Sequence, residues 1–248
     1  MEIMNSFDRY KSIVDEIEDK KEKLKLDERQ LDWLMSLEIY DSLHIEGNTL
    51  TRSAITAFLD NGVTVHGKPF KEFLEVRNYE KAQGWLKARL LDDEFILNSI
   101  FIKTLHGIVA RDTLEDCECG RYRDDQVYLK GASYLPPFWE DVPVLVDDLC
   151  EYYNNWLPDG METRFENIIF TFRKLESVHP FFDGNGRTGR LLMNFLLLRN
   201  NYPFLWIKSE LREEYLSCFG SKELCLEFHA HRAMETFEMI KKVRKTNK

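Results

Sequence analysis

Helix breakers are scarce in this chain. Only 12 glycines and 7 prolines interrupt 248 residues, and between them apolar residues recur every three or four positions. Such a sequence cannot be cut into many short strands; it must build helices that each bury one stripe. The first helix runs from Asp8 to about Lys23. Asp27 can cap a second, with Leu31, Leu34 and Leu37 on its core face and a stop near Gly47. Thr51 caps a short helix through Leu59, and Pro69 suits the first position of a longer one ending near Leu91. Further helices are predicted at about Leu97–Ala110, Asp141–Trp156, Thr163–Val178, Arg187–Asn200, Lys208–Phe219 and Lys222–Val243. The pattern fails only between about Cys117 and Pro137. There Gln126–Leu129, the pair Lys130-Gly131 and Ala132–Leu135 predict a small β-hairpin ahead of Pro136-Pro137. The expected class is all-α with that one hairpin. Residues 1–60 are expected to form a helical part packed on residues 61–248.

Charge and cysteine usage exclude several functions. The formal net charge of −9 opposes general nucleic-acid binding, which needs a basic surface to displace counterions. No apolar run reaches the ~20 residues of a membrane span. The stretch Leu191–Leu198 is broken by Asn194 and is read as a buried helix. The acidic, amphipathic N-terminus is unlike a signal peptide. The five cysteines, Cys117, Cys119, Cys150, Cys218 and Cys225, are odd in number and irregularly spaced, as expected of a reduced, cytoplasmic protein. Cys117-x-Cys119 lacks the second pair of a zinc site. His229 and His231, two apart on a helix, face away from each other.

The densest chemistry lies at His179–Arg190, HPFFDGNGRTGR. Phe165, Ile168, Ile169, Phe172 and Leu175 form one stripe of the helix before it, which fixes where His179 projects. Pro180 ends that helix, because proline disfavours α geometry in the residue it follows. Asp183-Gly184-Asn185-Gly186 then offers residues that tolerate positive φ and turn backbone N–H groups inward. A nest of this kind at a helix start binds anions. Arg187 and Arg190, three apart, share a face and suit a di- or triphosphate. Asp183 is a hard oxygen ligand suited to Mg²⁺. His179 has the side chain for taking a proton near neutrality.

This segment matches every defining position of HxFx(D/E)GNGRxxR, and on it the chain resembles the Fic family. Thr104-Leu105-His106, Gly120-Arg121-Tyr122-Arg123 and the hairpin with Pro136-Pro137 reinforce the resemblance, which covers about Phe70 to Tyr215. It implies a helical Fic-type bundle that transfers AMP from ATP to a Ser, Thr or Tyr hydroxyl of a target protein. By that resemblance His179 deprotonates the hydroxyl and Asp183 holds Mg²⁺. Gly184, Asn185 and Gly186 cradle the phosphates, while Arg187 meets the β- and Arg190 the γ-phosphate. Thr188 and Gly189 are spacers. The hairpin, with Gln126, Val127, Gly131 and Tyr134, would be the flap that aligns an extended target segment, and Tyr215 would lie near the adenine.

A second motif, Ser42-Leu43-His44-Ile45-Glu46-Gly47, has the spacing of an ordinary capped helix end. It is also similar to the family's inhibitory pattern (S/T)xxxE(G/N). That similarity implies that Glu46 takes Arg190 away from the γ-phosphate, with Ser42 steadying Glu46. Two alternatives stay open: Glu46 orients water to remove AMP from a modified protein, or the chain senses nucleotide without catalysis. Self-modification and homodimerisation are open too. No nucleic-acid or membrane partner is expected.

Overall fold

The computed structural model describes residues 6–21, 26–115, 118–129, 134–157 and 162–246. Ten α-helices occupy them: α1 Ser6–Lys20, α2 Glu28–Ile45, α3 Arg52–Asn61, α4 Phe70–Lys87, α5 Ser99–Val109, α6 Val142–Asn154, α7 Arg164–Val178, α8 Asn185–Arg199, α9 Arg212–Cys218 and α10 Lys222–Thr246. Several start where a side chain satisfies the first free backbone donors. Asp27 accepts the Gln30 N–H at 2.8 Å and Gln30 Oε1 accepts the Asp27 N–H at 3.2 Å. Thr163 and Glu166 make the same reciprocal box for α7. Pro69 stands one place earlier than expected, as the cap before α4. The predicted helix at Lys208–Phe219 divides into a 3₁₀ turn, Ser209–Leu211, and the short α9.

Helix α8 is the axle of the bundle. It packs on α7, α5, α4 and α2, and every residue from Arg187 to Leu197 is buried. A helix buried all round needs a partner for each polar group. Asn194 has them: it donates to Glu38 Oε1 at 2.8 Å and to the Leu205 carbonyl at 3.1 Å, and accepts the Leu205 N–H at 2.7 Å. α7 lies between α8, α6 and α10, and α1 runs along α10. One hydrophobic core joins Val14 and Ile17 of α1, Leu43 of α2 and Phe58 of α3 to Phe73, Leu105, Phe165 and Leu196. A smaller one gathers Leu31, Leu34, Phe204 and Ile240.

Two further expectations differ from what is seen. Leu37 is only half-buried, and its neighbour Glu38 is buried instead. Gln83 of α4 donates to Glu38 Oε2 at 2.9 Å and Asn194 of α8 to Oε1, so the face of α2 toward the bundle carries a polar patch among its apolar residues. Second, the described residues contain no strand. The Val127 carbonyl, which a hairpin ladder would draw on, already has a side-chain partner, as do carbonyls that flank the segment. Gln126 Nε2 donates to the Val127 and Pro136 carbonyls at 3.2 and 3.1 Å, and Arg123 donates to the Asp125 and Pro137 carbonyls. Gly131, with residues 130–133, and Cys117 lie outside the described residues, as does the predicted end of the first helix at Lys23. Among the described residues no helix is long and apolar enough to cross a membrane.

Candidate active site

The corner between α7 and α8 is built from both sides. His179 ends α7 in the left-handed region, φ 48° and ψ 62°, with its N–H on the Leu175 carbonyl at 3.0 Å. A non-glycine residue holds that conformation only when its surroundings impose it. Arg123 is the imposing group. It is 1% exposed; Nε donates to the His179 carbonyl at 2.9 Å and Nη2 to the Val178 carbonyl at 3.5 Å. The Arg123 N–H also meets the Pro180 carbonyl at 2.9 Å. Burial pushes the His179 ring down to a pKa of about 4, against the raising effects of the Glu176 backbone, Glu46 and Asp183. The ring is therefore neutral at physiological pH, with a lone pair to accept a proton.

From the other side, His106 of α5 anchors the loop. Its Nδ1 accepts the Gly120 N–H at 3.0 Å, so the proton sits on Nε2, 2.9 Å from the Asp183 carbonyl. The ring stacks flat on Phe181 with centroids 3.7 Å apart. Burial lowers its pKa to about 4, which keeps the lone pair that Gly120 needs. Gly184, at φ 80°, brings the backbone against this ring. The side chain of Asn185 is spent on the loop itself: it accepts the Phe181 N–H at 2.9 Å and donates to the Phe181 carbonyl at 2.8 Å. The first α8 bond runs from Thr188 to the Gly184 carbonyl. The N–H groups of Asn185, Gly186 and Arg187 thus precede it, as donors the helix itself cannot satisfy.

The two arginines have different partners. Arg187 Nη2 donates to Asp183 Oδ1 at 3.0 Å. Glu75 of α4 lies 3.3 Å from Nη1, off the N–H direction, so that pair is ionic rather than a directed bond. Burial would raise the Asp183 pKa, but Arg187, the Gly184 N–H and Lys71 outweigh it and hold the carboxyl below its usual range. Arg190 is 2% exposed. Nε donates to Ser42 Oγ at 2.8 Å, Nη2 to the Ser42 carbonyl at 3.0 Å and to Glu46 Oε1 at 2.7 Å, and Nη1 to the Tyr215 hydroxyl at 3.3 Å. Glu46 follows the last residue of α2, and Gly47 turns the chain at φ 97°. A Cβ placed on Gly186 would collide with Glu46 Oε1, so the carboxylate lies directly against the loop.

The structure thus gathers His179, Asp183–Arg187, Arg190, Ser42 and Glu46. Tyr215, expected near the adenine, is 2% exposed and meets Arg190. Gln126 is tied to the Val127 and Pro136 carbonyls, and Tyr134 is 42% exposed, its ring partly covered on the side toward Glu176. Gly189, expected as a spacer, faces α7 closely: a Cβ there would collide with Glu176 Oε1 and reach Phe172. Glu176 is itself raised to about 8 by burial. In the sequence His106 and Arg123 stand only inside longer motifs, and nothing local marks Glu75 or Glu176. Their partners are backbone carbonyls or distant helices, which leave no local pattern.

Residues 96–197 match the Fic/DOC family. A protein from Aedes aegypti named Protein adenylyltransferase Fic is 32% identical over 180 residues, 71% of this chain and 35% of that protein. One from Caenorhabditis briggsae named Protein adenylyltransferase fic-1 is 34% identical over 180 residues, 72% of this chain and 35% of that protein. The chain spans about a third of the length of these curated relatives. The solved structure of C. elegans Fic-1, residues 134–508, is similar with a TM-score of 0.84 at 25% identity, covering 97% of this chain and 74% of that one.

Proposed function

The chain belongs to the Fic family, and from that premise we propose that it transfers AMP from ATP to a Ser, Thr or Tyr hydroxyl of a target protein, under restraint by Glu46. The observation that carries the reading is the Glu46–Arg190 pair laid against Gly186. A carboxylate occupies the place where a helix start and a buried guanidinium offer donors to an anion. A phosphate competes for the same donors, so one excludes the other.

In the transfer, neutral His179 takes the proton of the target hydroxyl. The oxygen attacks the α-phosphorus, and the bond to the departing pyrophosphate breaks. The N–H groups of residues 185–187 and the guanidinium of Arg187 hold the polyphosphate, and Arg190 joins them when Glu46 leaves. The negative charge of the nucleotide raises the basicity of His179, which offsets part of the lowering by burial. Asp183 fits a divalent hard cation: its carboxyl is held ionised, and its side chain is 46% exposed. Mg²⁺ held by Asp183 would neutralise phosphate charge. Residues 126–129 and 134–137 would align the target segment, with Gln126 bracing the two arms. Positioning and charge neutralisation supply most of the acceleration in chemistry of this kind.

The test is incubation of the wild type, Glu46→Gly and Glu46→Gly/His179→Ala chains with ATP labelled at the α-phosphate and a cell extract. Labelling is expected to be strong with Glu46→Gly, about a tenth as strong with the wild type and lost in the double variant. Equal labelling by the double variant would remove His179 from the mechanism, and no labelling by any chain would remove the activity.

A further inference from the structure

Where α9 meets α10 there is a side-chain cluster that no step above uses. Cys218 is the last residue of α9, and Cys225 and His229 are four apart on α10, so they share a face. Cys218 Sγ, Cys225 Sγ and a ring nitrogen of His229 lie within 4.8 Å of one another. All three residues are buried, at 5%, 0% and 0% exposure. His229 Nδ1 lies 2.7 Å from the Cys225 carbonyl oxygen, which places the ring proton on Nδ1 and the lone pair on Nε2. Nε2 is buried with no hydrogen-bond partner among the described residues. Leaving such an acceptor unpaired costs about 1–3 kcal/mol, so packing alone does not account for a histidine here.

We propose that Cys218, Cys225 and His229 form a binding site for a thiophilic d¹⁰ cation, Zn²⁺ or Cu⁺. Two sulfurs and an imidazole are the donor set such ions select, and the cluster contains no carboxylate to favour a hard cation. Donors bound at about 2.0–2.3 Å around one ion sit about 3.5–4 Å apart. Binding forms two metal–sulfur bonds and one metal–nitrogen bond, the two thiol protons pass to solvent, and no electron is transferred. The ring nitrogen beside Cys225 Sγ is Nδ1, at 3.6 Å; ligation through it moves the ring proton to Nε2 and exchanges the bond to the Cys225 carbonyl for one to the ion.

The site stands behind the anion grip. Tyr215 precedes Cys218 by one turn of α9, its ring meets His229 at 6.2 Å, and its hydroxyl accepts from Arg190. A cation that ties α9 to α10 therefore also fixes Tyr215 against the guanidinium.

The full-length chain, reduced and stripped with a chelator, is titrated with Zn²⁺ alone and, without oxygen, with Cu⁺ alone. About one equivalent of the preferred ion should bind and raise Tm by about 5 °C or more; the tighter of the two arms identifies the ion. Co²⁺ should give a thiolate charge-transfer band in the near ultraviolet. Cys225→Ser and His229→Gln should each weaken binding at least about tenfold. An unchanged Tm and no band in the stripped wild type, a measurement needing no variant to fold, would overturn the site. So would uptake equal to that of a Cys218→Ser/Cys225→Ser chain. Loss of two hydrogens by mass on oxidation, with no metal bound beforehand, would assign the pair to a disulfide instead. Nucleotide takes no part, so the result is independent of the transfer reaction.

Discussion

Arg190 Nη2 reaches Glu46 Oε1 at 2.7 Å across 144 positions of sequence, while Nε and Nη1 of the same guanidinium are held by Ser42 and Tyr215. Only one of these partners must leave for a phosphate to arrive. Glu46 is also the most open of them, its side chain 39% exposed, which places the energy of the pair at the low end for a charged hydrogen bond. Glu46→Gly should therefore raise label incorporation from ATP about tenfold. Circular dichroism should show the fold unchanged. Incorporation no greater than wild type, with ATP binding intact by calorimetry, would leave Glu46 without an inhibitory role.

His179→Ala in the Glu46→Gly background should reduce transfer by about 10²–10⁴-fold, because the base is lost while the N–H groups of α8 and both arginines stay. Nucleotide affinity should change little. A loss in Kd for ATP as large as the loss in rate would make His179 a binding group instead.

Arg123→Lys should destabilise the chain by about 2–3 kcal/mol. An ammonium group cannot reproduce a fork that meets the carbonyls of Val178, His179, Asp125 and Pro137. The left-handed turn at His179 should relax, so the transfer rate should fall more than nucleotide affinity. Urea unfolding beside single-turnover kinetics measures both.

Stability should peak in mildly acidic solution. His106 and His179 are lowered to about 4 by burial, so the unfolded chain binds more protons between about 4 and the free histidine value near 6.5. Their contribution is lost as pH falls through that window. Glu38 and Glu176 are raised by burial to about 7 and about 8. Their contribution is complete below the free carboxyl value and is lost as pH rises through 7 and 8. Glu38→Gln should flatten the alkaline limb in urea titrations across pH; an alkaline limb as steep as wild type would show that Glu38 does not titrate there.

Much of the scaffold was legible because it rests on local rules. Asp27, Thr51 and Thr163 cap as their residue types require, and the Phe165–Leu175 stripe places His179 where α7 ends. The twelve residues from His179 to Arg190 carry their own loop and helix start. What was not legible depends on partners far along the chain. Glu38 displaces Leu37 from the interior only because Gln83 and Asn194 supply donors. His106 and Arg123 hold the corner through carbonyls, which every residue possesses and no sequence pattern marks. The spacing from His229 to His231 separates the two rings, whereas the four residues from Cys225 to His229 put both on one face of α10.

The row Glu38–Asn194, Ser42–Arg190, Glu46–Arg190 joins the second helix to the axle of the bundle over two turns. Detaching that helix would strand a buried carboxylate and a buried guanidinium together. Activation by swinging the segment away is consequently the expensive route, and rotation of one glutamate about its own bonds is the cheap one. If Glu46 restrains the site as proposed, an activator need move only a few atoms at its mouth, and a small ligand or a light touch from a neighbouring surface would be enough to switch it on.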